Sequence, residues 1–422
     1  MPLLGCIADD FTGATDLAAM LVGNGMRTVL MLGRPKAATE SPKADAVVVA
    51  LKSRTTPAAQ AVSDSLDALT WLRAAGARQI VFKYCSTFDS TAQGNIGPVA
   101  DALAEALETD FALVCPAFPA NGRTVYQGHL FVGDHLLNES GMRDHPLTPM
   151  RDASVVRLLA AQTPHRVGLI ALPVVEAGVP AIDEALRALR ATGVRYGVID
   201  ALTDDHLRTI GAAAAGHRLI TGGSGVAMGL PENFRRQGLL PFRDDSASLP
   251  KVDGGAAVLV GSCSQATRQQ VAQARPHLPT LILDPLATPE AGALMAIARA
   301  WIDAQPAGAP LMIVGSAAPE AVAALQKRLG AGPAGALIET VLAGLAEDLV
   351  ERGIRSLVVA GGETSGAVVS RLGITSLRVG AEIAPGVPWT LADHPAGPLR
   401  LALKSGNFGS ATFFLEALGL PL

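Results

Sequence analysis

The sequence predicts two α/β domains, each with a mainly parallel sheet flanked by helices, joined by a hinge-like linker. Three observations carry this. Short apolar runs alternate with amphipathic stretches from the first residues onward. The series halts at a polar, broken stretch between 241 and 254 and then starts afresh. A chain of 422 residues also accommodates two or three domains at about 100 to 200 residues each.

The first domain spans 1–240. Strands are expected at 3–8, 28–32, 46–51, 79–83 and 111–115, and helices at 12–24, 57–75 and 96–107. Such alternation favours a parallel sheet covered by helices. Residues 124–131 read as an added strand or hairpin, after which a strand at 166–172, a helix at 181–191 and a strand at 218–221 resume the pattern. The linker, 241–254, gathers Pro241, Arg243, Asp244, Asp245, Ser246, Ser248, Pro250, Lys251 and Asp253, a composition that breaks helices and strands alike. The second domain, 255–422, has expected strands at 257–261, 280–284, 311–315 and 356–360 and helices at 265–274, 290–304, 320–329 and 336–352. From Leu377 onward Gly and Pro increase and helices become less clear. No repeat relates the two halves.

Composition narrows the function. Apolar residues make up 49% and charged residues 17%, with 44 Gly and 28 Pro in no three-residue period, which excludes disordered and collagen-like chains. A net charge of −4 without a basic run argues against a nucleic-acid partner. Mean hydropathy is +0.32, yet every stretch of membrane-spanning length holds a charge or a proline, so no membrane segment is expected. The N-terminus reaches Asp9 and Asp10 without a basic segment and does not read as a signal peptide, so a cytoplasmic location is expected. Cys6, Cys85, Cys115 and Cys263 lie far apart without CxxC spacing and read as reduced core thiols.

In open α/β sheets, ligands collect beyond the carboxyl ends of the strands, so the loops there are the places to look for chemistry. Gly361-Gly-Glu-Thr-Ser-Gly366 follows a strand and opens a helix. Amides at such a turn and the helix dipole suit a phosphate. Thr364 and Ser365 offer hydroxyls, either of which can serve as N-cap, and the bland reading is a tight βα turn. The chain has no GxxxxGK[ST], and Met228 stands where a dinucleotide fingerprint at Gly223-x-Gly225 needs its third glycine. The run Thr221–Gly225 is either a packing turn or a wall of a ligand site. Gly261-Ser-Cys-Ser264 ends the first strand of the second domain. Lys404-Ser-Gly-Asn-Phe-Gly409 combines a cation, a flexible backbone and an amide: it either closes over nucleotide phosphates or is a surface turn with a solvated lysine.

In the first domain, Asp9 and Asp10 follow the first strand and open the first helix. Adjacent carboxylates there suit substrate hydroxyls or a cation, or else Asp10 caps the helix and Asp9 stays in water. Arg54 and Lys83, at converging strand ends, form a carboxylate-binding pair. Asp89, among small donors in Tyr84–Asn95, is a candidate general base or a turn residue held by Ser90 and Thr91. His129, His135 and His145 have no HExxH or cysteine partner, and no protein metal site is expected.

With Asp9–Asp16, Asp89-Ser-Thr, Gly94-Asn95 and Gly361–Gly366 in this order, the chain resembles the four-carbon acid sugar kinases over both domains. Lys83–Asp89, Cys115–Arg123 and Gly141–Met150 look most like the 3-oxo-tetronate kinase branch. The spacing from Lys83 to Asp-Ser-Thr is longer than in many relatives, and Gln93 stands where many carry arginine, which points to a distinct substrate subclass. The resemblance implies ATP-dependent phosphorylation of the terminal hydroxyl of 3-oxo-tetronate, or of a related acid such as threonate or erythronate, with Mg²⁺ bridging the phosphates. It places the acid sugar on the first domain, at Asp9, Asp10, Arg54, Lys83, Asp89 and Ser90, with Asp89 or Asp10 orienting the attacking hydroxyl. It places ATP on the second, at Ser262, Ser264, Gly361, Gly362, Glu363, Thr364, Ser365, Gly406, Asn407 and Gly409. A homo-oligomer is compatible with it. A dinucleotide-dependent oxidoreductase or a non-catalytic nucleotide sensor are the readings of other classes.

Reactants on different domains require a hinge at the linker that closes and excludes water. Small-angle scattering should therefore show compaction when both ligands are present; identical profiles would count against closure.

Overall fold

The computed structural model describes residues 1–36, 38–145, 148–306, 308–315, 324, 327–328 and 330–421. They fall into two compact units, Met1–Ala247 and Ser248–Leu422. The helix expected at 320–329 lies largely outside the described residues, as do Pro146 and Leu147 of the Gly141–Met150 segment.

In the first unit the strands are β1 (Leu4–Ala8), β2 (Thr28–Leu32), β3 (Ala46–Ala50), β4 (Gln79–Lys83), β5 (Ala112–Cys115), β6 (Arg123–Tyr126), β7 (His129–Val132), β8 (His135–Leu136), β9 (Arg166–Ile170), β10 (Val194–Ile199) and β11 (Leu219–Gly222). The main sheet runs β2-β3-β1-β4-β11-β5-β10-β9 with every pair parallel. All five residues of β1, LGCIA, are buried, which is why it reads as an unbroken apolar run: a parallel strand covered on both faces needs no polar alternation. Helices α1 (Phe11–Gly23), α2 (Ala58–Ala75), α3 (Ile96–Ala106), α4 (Val155–Ala160), α5 (Leu172–Glu176), α6 (Val179–Ala191), α7 (Asp204–Ala213) and α8 (Leu230–Arg236) complete it. Strand β10 and helix α7 escape the sequence reading because Arg195 and Gly197 break the apolar run of β10, and the first turn of α7 is wholly polar.

Residues 123–136 form a separate antiparallel sheet, β6-β7-β8. Gln127 and Gly128 both have positive φ, 50° and 69°, as a two-residue hairpin turn matching strand twist requires. Fully buried Asp200 holds this turn, accepting the amides of Gln127 (2.7 Å) and Gly128 (2.9 Å), and it also accepts that of Leu172 (3.0 Å). The glycines of 221–225 are a packing turn. A Cβ on Gly222 would lie 2.0 Å from the Cys115 carbonyl oxygen and one on Gly225 2.7 Å from that of Ala117, while Ser224 Oγ donates to Asp16.

The second unit contains β12 (Gly255–Val260), β13 (Thr280–Ile282), β14 (Leu311–Val314), β15 (Ile354–Ala360), β16 (Ser376–Ala384), β17 (Val387–Ala392) and β18 (Leu399–Lys404), with α9 (Gln265–Ala274), α10 (Ala291–Asp303), α11 (Ala331–Glu351), α12 (Gly362–Arg371) and α13 (Phe413–Leu418). Its sheet runs β13-β14-β12-β15-β18-β17-β16. The first five strands are parallel, and β17 and β16 extend them antiparallel. Helix α11 begins before the expected Ala336 because Pro333 lies in its first turn, where a missing N–H costs nothing. In both units the first four strands stand in the order second, third, first, fourth. The fold thus shows a likeness that the residues themselves do not. In each, the first strand lies where the connections change side, the position at which open α/β sheets form ligand crevices.

No helix among the described residues is long and apolar enough to cross a membrane. Cys6 and Cys115 are core thiols and Cys85 is half-buried, but Cys263 is exposed, contrary to the core reading. Burial pushes the thiol of Cys85 up to about 11 and that of Cys115 up to about 12. Alkylation of the native protein at neutral pH should label Cys263 first, as peptide mapping would show; equal labelling of Cys115 would contradict this packing.

Candidate active site

In the first unit, three neighbouring strands end level, with Ala8 of β1 opposite Ala50 of β3 and Lys83 of β4. Their carboxyl ends bring together the residues singled out in sequence. The backbone fixes the arrangement: Asp9 N–H donates to Lys83 O (3.0 Å), and Asp9 O accepts the amides of Ser53 (2.9 Å) and Arg54 (3.1 Å). Arg54 then grips both aspartates. Its Nε and Nη2 bond Asp9 Oδ2 (2.9 Å) and Oδ1 (2.8 Å), and Nη2 reaches Asp10 Oδ1 (2.7 Å). Its Nη1 lies 3.7 Å from Asp89 Oδ2.

Asp10 is both helix cap and charge partner, since its Oδ1 also accepts from Gly13 N (3.0 Å). Asp9 is not in water, being 3% exposed. Burial raises its pKa against the pull of Arg54, with Asp10 adding to the rise. Burial alone would lower the Arg54 pKa, but the charges of Asp9 and Asp10 outweigh it and hold the guanidinium above its ordinary value. The fork of Arg54, expected to be open to a substrate carboxylate, is thus largely occupied by protein carboxylates. The Lys83 ammonium is buried against the first turn of α1, where a Cβ on Gly13 would come within 2.4 Å of Nζ, and donates to Tyr84 O (2.9 Å).

Asp89 is set by Thr87 rather than by Ser90 and Thr91: Thr87 Oγ1 donates to its Oδ1 at 2.6 Å. Phe88 and Asp89 both have positive φ, 63° and 26°, a conformation costing about 1 to 3 kcal/mol per residue that persists only where surroundings enforce it. Here the enforcement comes from Phe88, fully buried edge-on to Tyr84 with centroids 5.5 Å apart. Two residues missed as site elements hold the loops. Asn95 Nδ2 donates to the carbonyls of Ser53 (2.7 Å), Arg54 (3.3 Å) and Thr56 (3.1 Å), fixing the Arg54 loop. Gln162 accepts from Gly97 N (3.0 Å) and donates to Ser90 Oγ (3.0 Å) and Thr91 O (2.8 Å). Asn95 lay within a motif of the resemblance; Gln162 carries no local signal. Gln93 is exposed.

In the second unit, the ends of β12, β15 and β18 are likewise level, with Val260 opposite Ala360 and Ala360 opposite Lys404. Gly361, at φ 129°, is the residue before α12, which begins at Gly362 without any side-chain cap. Neither Thr364 nor Ser365 caps it, because both lie inside the helix. Gly361 itself brings no side chain to the first amides of α12. Thr364 instead covers Gly261, where a Cβ would come within 2.0 Å of its Oγ1. Ser264 caps α9 through Thr267 N (3.2 Å) and donates to Gly406 O (2.6 Å). A Cβ on Gly406 would lie 2.4 Å from Ser262 Oγ, and one on Gly409, at φ 84°, 2.7 Å from the Phe413 ring. Small residues thus let three loops meet backbone to backbone. Glu363 and Asn407 are exposed beside this cradle. Lys404 is not the solvated lysine of the bland reading: it is 1% exposed.

Residues 4–230 match a family model described as a sugar-binding N-terminal domain, and residues 257–414 one described as a nucleotide-binding C-terminal domain. The chain belongs to the four-carbon acid sugar kinases, in the 3-oxo-tetronate kinase branch. A curated relative from Cupriavidus necator named 3-oxo-tetronate kinase is 58% identical over 420 residues, covering 99% of this chain and 96% of its own. Another of that name, from Burkholderia multivorans, is 56% identical, covering 99% and 97%. A solved structure from Salmonella typhimurium LT2 is 49% identical, with a TM-score of 0.90 and 98% of each chain covered. Within this family the sugar-binding description falls on the unit with the aspartate–arginine cluster, and the nucleotide-binding one on the unit with the glycine cradle.

Removing one partner of a buried ion pair costs about 3 to 5 kcal/mol, so Arg54→Met should lose stability on that scale in urea unfolding at neutral pH. The deficit should narrow as pH falls. Without Arg54 the Asp9 carboxyl loses the pull that opposes its burial and its pKa rises further, so the folded variant binds that proton more tightly than the folded wild type and gains more stability on acidification. A pH-independent deficit would mean that Asp9 does not carry the effect.

Proposed function

We propose that this chain is an ATP-dependent kinase that phosphorylates the terminal hydroxyl of 3-oxo-tetronate, giving the 4-phosphate. The observation that carries the acid half is the convergence of Asp9, Asp10, Arg54, Lys83 and Asp89 at three level strand ends. Hydroxyls and a carboxylate on one small molecule need acceptors and cations side by side, and this cluster supplies both. Asp9 and Asp10 orient hydroxyls. Nη1 of Arg54 and the remaining protons of Lys83 face the carboxylate, with Ser90 Oγ as a further donor.

Asp89 is the base. Its Oδ1 is held by Thr87, while Oδ2 accepts no hydrogen bond from the described residues. Asp10 is the weaker choice because its Oδ1 is already taken by Arg54 Nη2 and Gly13 N. The acid's hydroxyl oxygen attacks the γ-phosphorus, its proton passes to Asp89, and the bond to the β-phosphate oxygen breaks to release ADP. Little covalent chemistry is asked of the protein, so positioning and charge dominate.

The nucleotide is assigned to the second unit, against Ser262, Ser264, the Gly361–Ser365 turn and the 406–409 turn. The cradle suits a triphosphate because glycines leave room for close backbone approach. No cluster of three metal-ligating residues exists among the described residues; Mg²⁺ would be carried by the phosphates and would neutralise part of their charge.

A coupled ADP-release assay over a panel of four-carbon acids tests the reading. Turnover with 3-oxo-tetronate well above threonate and erythronate is expected; a preference for either of those moves the substrate, and no turnover with any acid favours a nucleotide sensor. In the same assay Asp89→Asn should lower kcat by about 100- to 10,000-fold with the KM for ATP little changed. Unchanged turnover would pass the base role to Asp10.

A further inference from the structure

Lys404 ends β18 with its side chain buried, and its ammonium donates to Thr267 Oγ1 (3.2 Å), Ser405 O (3.0 Å) and Gly406 O (3.0 Å), 5.9 Å from the Phe413 ring centroid. Every one of these partners is neutral, and no carboxylate of the described residues pairs with it. Buried lysines are normally paired or neutralised. Burial here lowers the pKa to about 8, which still leaves the group mostly protonated at neutral pH. The second unit therefore holds a positive charge without a counter-ion directly beneath a glycine-rich turn.

The surrounding bonds show what that charge does to the turn. Gly406 O receives Lys404 Nζ, Ser264 Oγ (2.6 Å) and Thr267 Oγ1 (2.7 Å) together. Gln270 Nε2 draws in the carbonyls of Phe408 (2.9 Å), Gly409 (3.2 Å) and Ser410 (2.9 Å). A trans peptide points its N–H opposite to its carbonyl. With these carbonyls turned inward, the amides of Gly406, Asn407, Gly409 and Ser410 are turned outward, and none of the four donates to a backbone carbonyl of the described residues. Successive outward amides make an anion-binding concavity.

We propose that Lys404 is a positioning residue for the nucleotide: from beneath the turn it pins the carbonyls of Ser405 and Gly406 inward so that the amides of Gly406 and Asn407 face the phosphates, as Gln270 does for those of Gly409 and Ser410, and the phosphate charge compensates its own without direct contact. This rests on the reading that ATP seats in the second unit. It differs from the P-loop arrangement, in which the lysine reaches the phosphates itself. It also predicts a dependence on phosphate number, which a purely structural lysine would not produce.

The test is calorimetric binding of adenosine, AMP, ADP and ATP to the full-length protein, as wild type, Lys404→Met and Lys404→Arg. In the wild type, affinity should climb with each phosphate. In Lys404→Met the ATP affinity should fall by about tenfold or more, adenosine affinity should hold within about twofold, and Lys404→Arg should recover part of the loss. In turnover, the KM for ATP should rise while that for the acid holds. Equal losses for adenosine and ATP, or none for either, overturn the proposal. If Lys404→Met does not fold, Lys404→Arg decides: a loss for ATP that exceeds the loss for adenosine supports the proposal, and equal losses or none overturn it. A wild-type protein that binds the acid but no nucleotide sinks the nucleotide assignment itself, a separate outcome.

Discussion

Parallel strands that stop at the same level impose the constraint on which both sites rest, because strands hydrogen-bonded in register deliver their following loops to one edge of the sheet at one height. In the first unit β1, β3 and β4 end together, so residues 9, 54 and 83, far apart in the chain, meet within hydrogen-bond distance of one another's backbones. In the second unit β12, β15 and β18 repeat the device, and Gly361 N–H bonding Lys404 O at 2.8 Å ties two of the loops directly. A slip of one residue in either sheet would turn every one of these side chains to the opposite face.

The two units manage charge in opposite ways. The first crowds three aspartates around one guanidinium and Lys83, so that its cations are already partly neutralised. Such a site suits a small polyhydroxy acid, which brings hydroxyls to be oriented as well as a carboxylate to be held. The second surrounds its buried ammonium with neutral oxygens and outward amides, leaving the positive potential unspent. That environment suits a highly charged anion such as a triphosphate. On the reading proposed above, main-chain amides and a charge set beneath them would take the place of a phosphate-touching lysine.

Strain and rigidity are distributed in the same spirit. Phe88 and Asp89, side by side, both adopt backbone conformations with positive φ. The aromatic packing of Phe88 on Tyr84 and the Thr87 bond to Asp89 over-determine that geometry. Asn95 and Gln162 act at one remove, each satisfying several backbone groups of the loops that carry Arg54 and Ser90. These amides tie the loops of the candidate site to the elements around them.

By itself the sequence determined the β-α alternation, the positions of most strand ends and hence the loops holding Asp9, Asp10, Arg54, Lys83, Asp89 and the Gly361 turn. Those features are local: apolar runs bounded by Gly, Pro and polar residues report a strand and its end whatever lies around them. Tertiary structure alone decided which groups pair. It placed Arg54 on Asp9 and Asp10, brought Gln162 to Ser90 across 72 residues, left α12 without a side-chain cap and buried Lys404 instead of solvating it. The physical reason is that a charged side chain's fate depends on partners distant in sequence and on what covers it, and neither leaves a mark on its immediate neighbours.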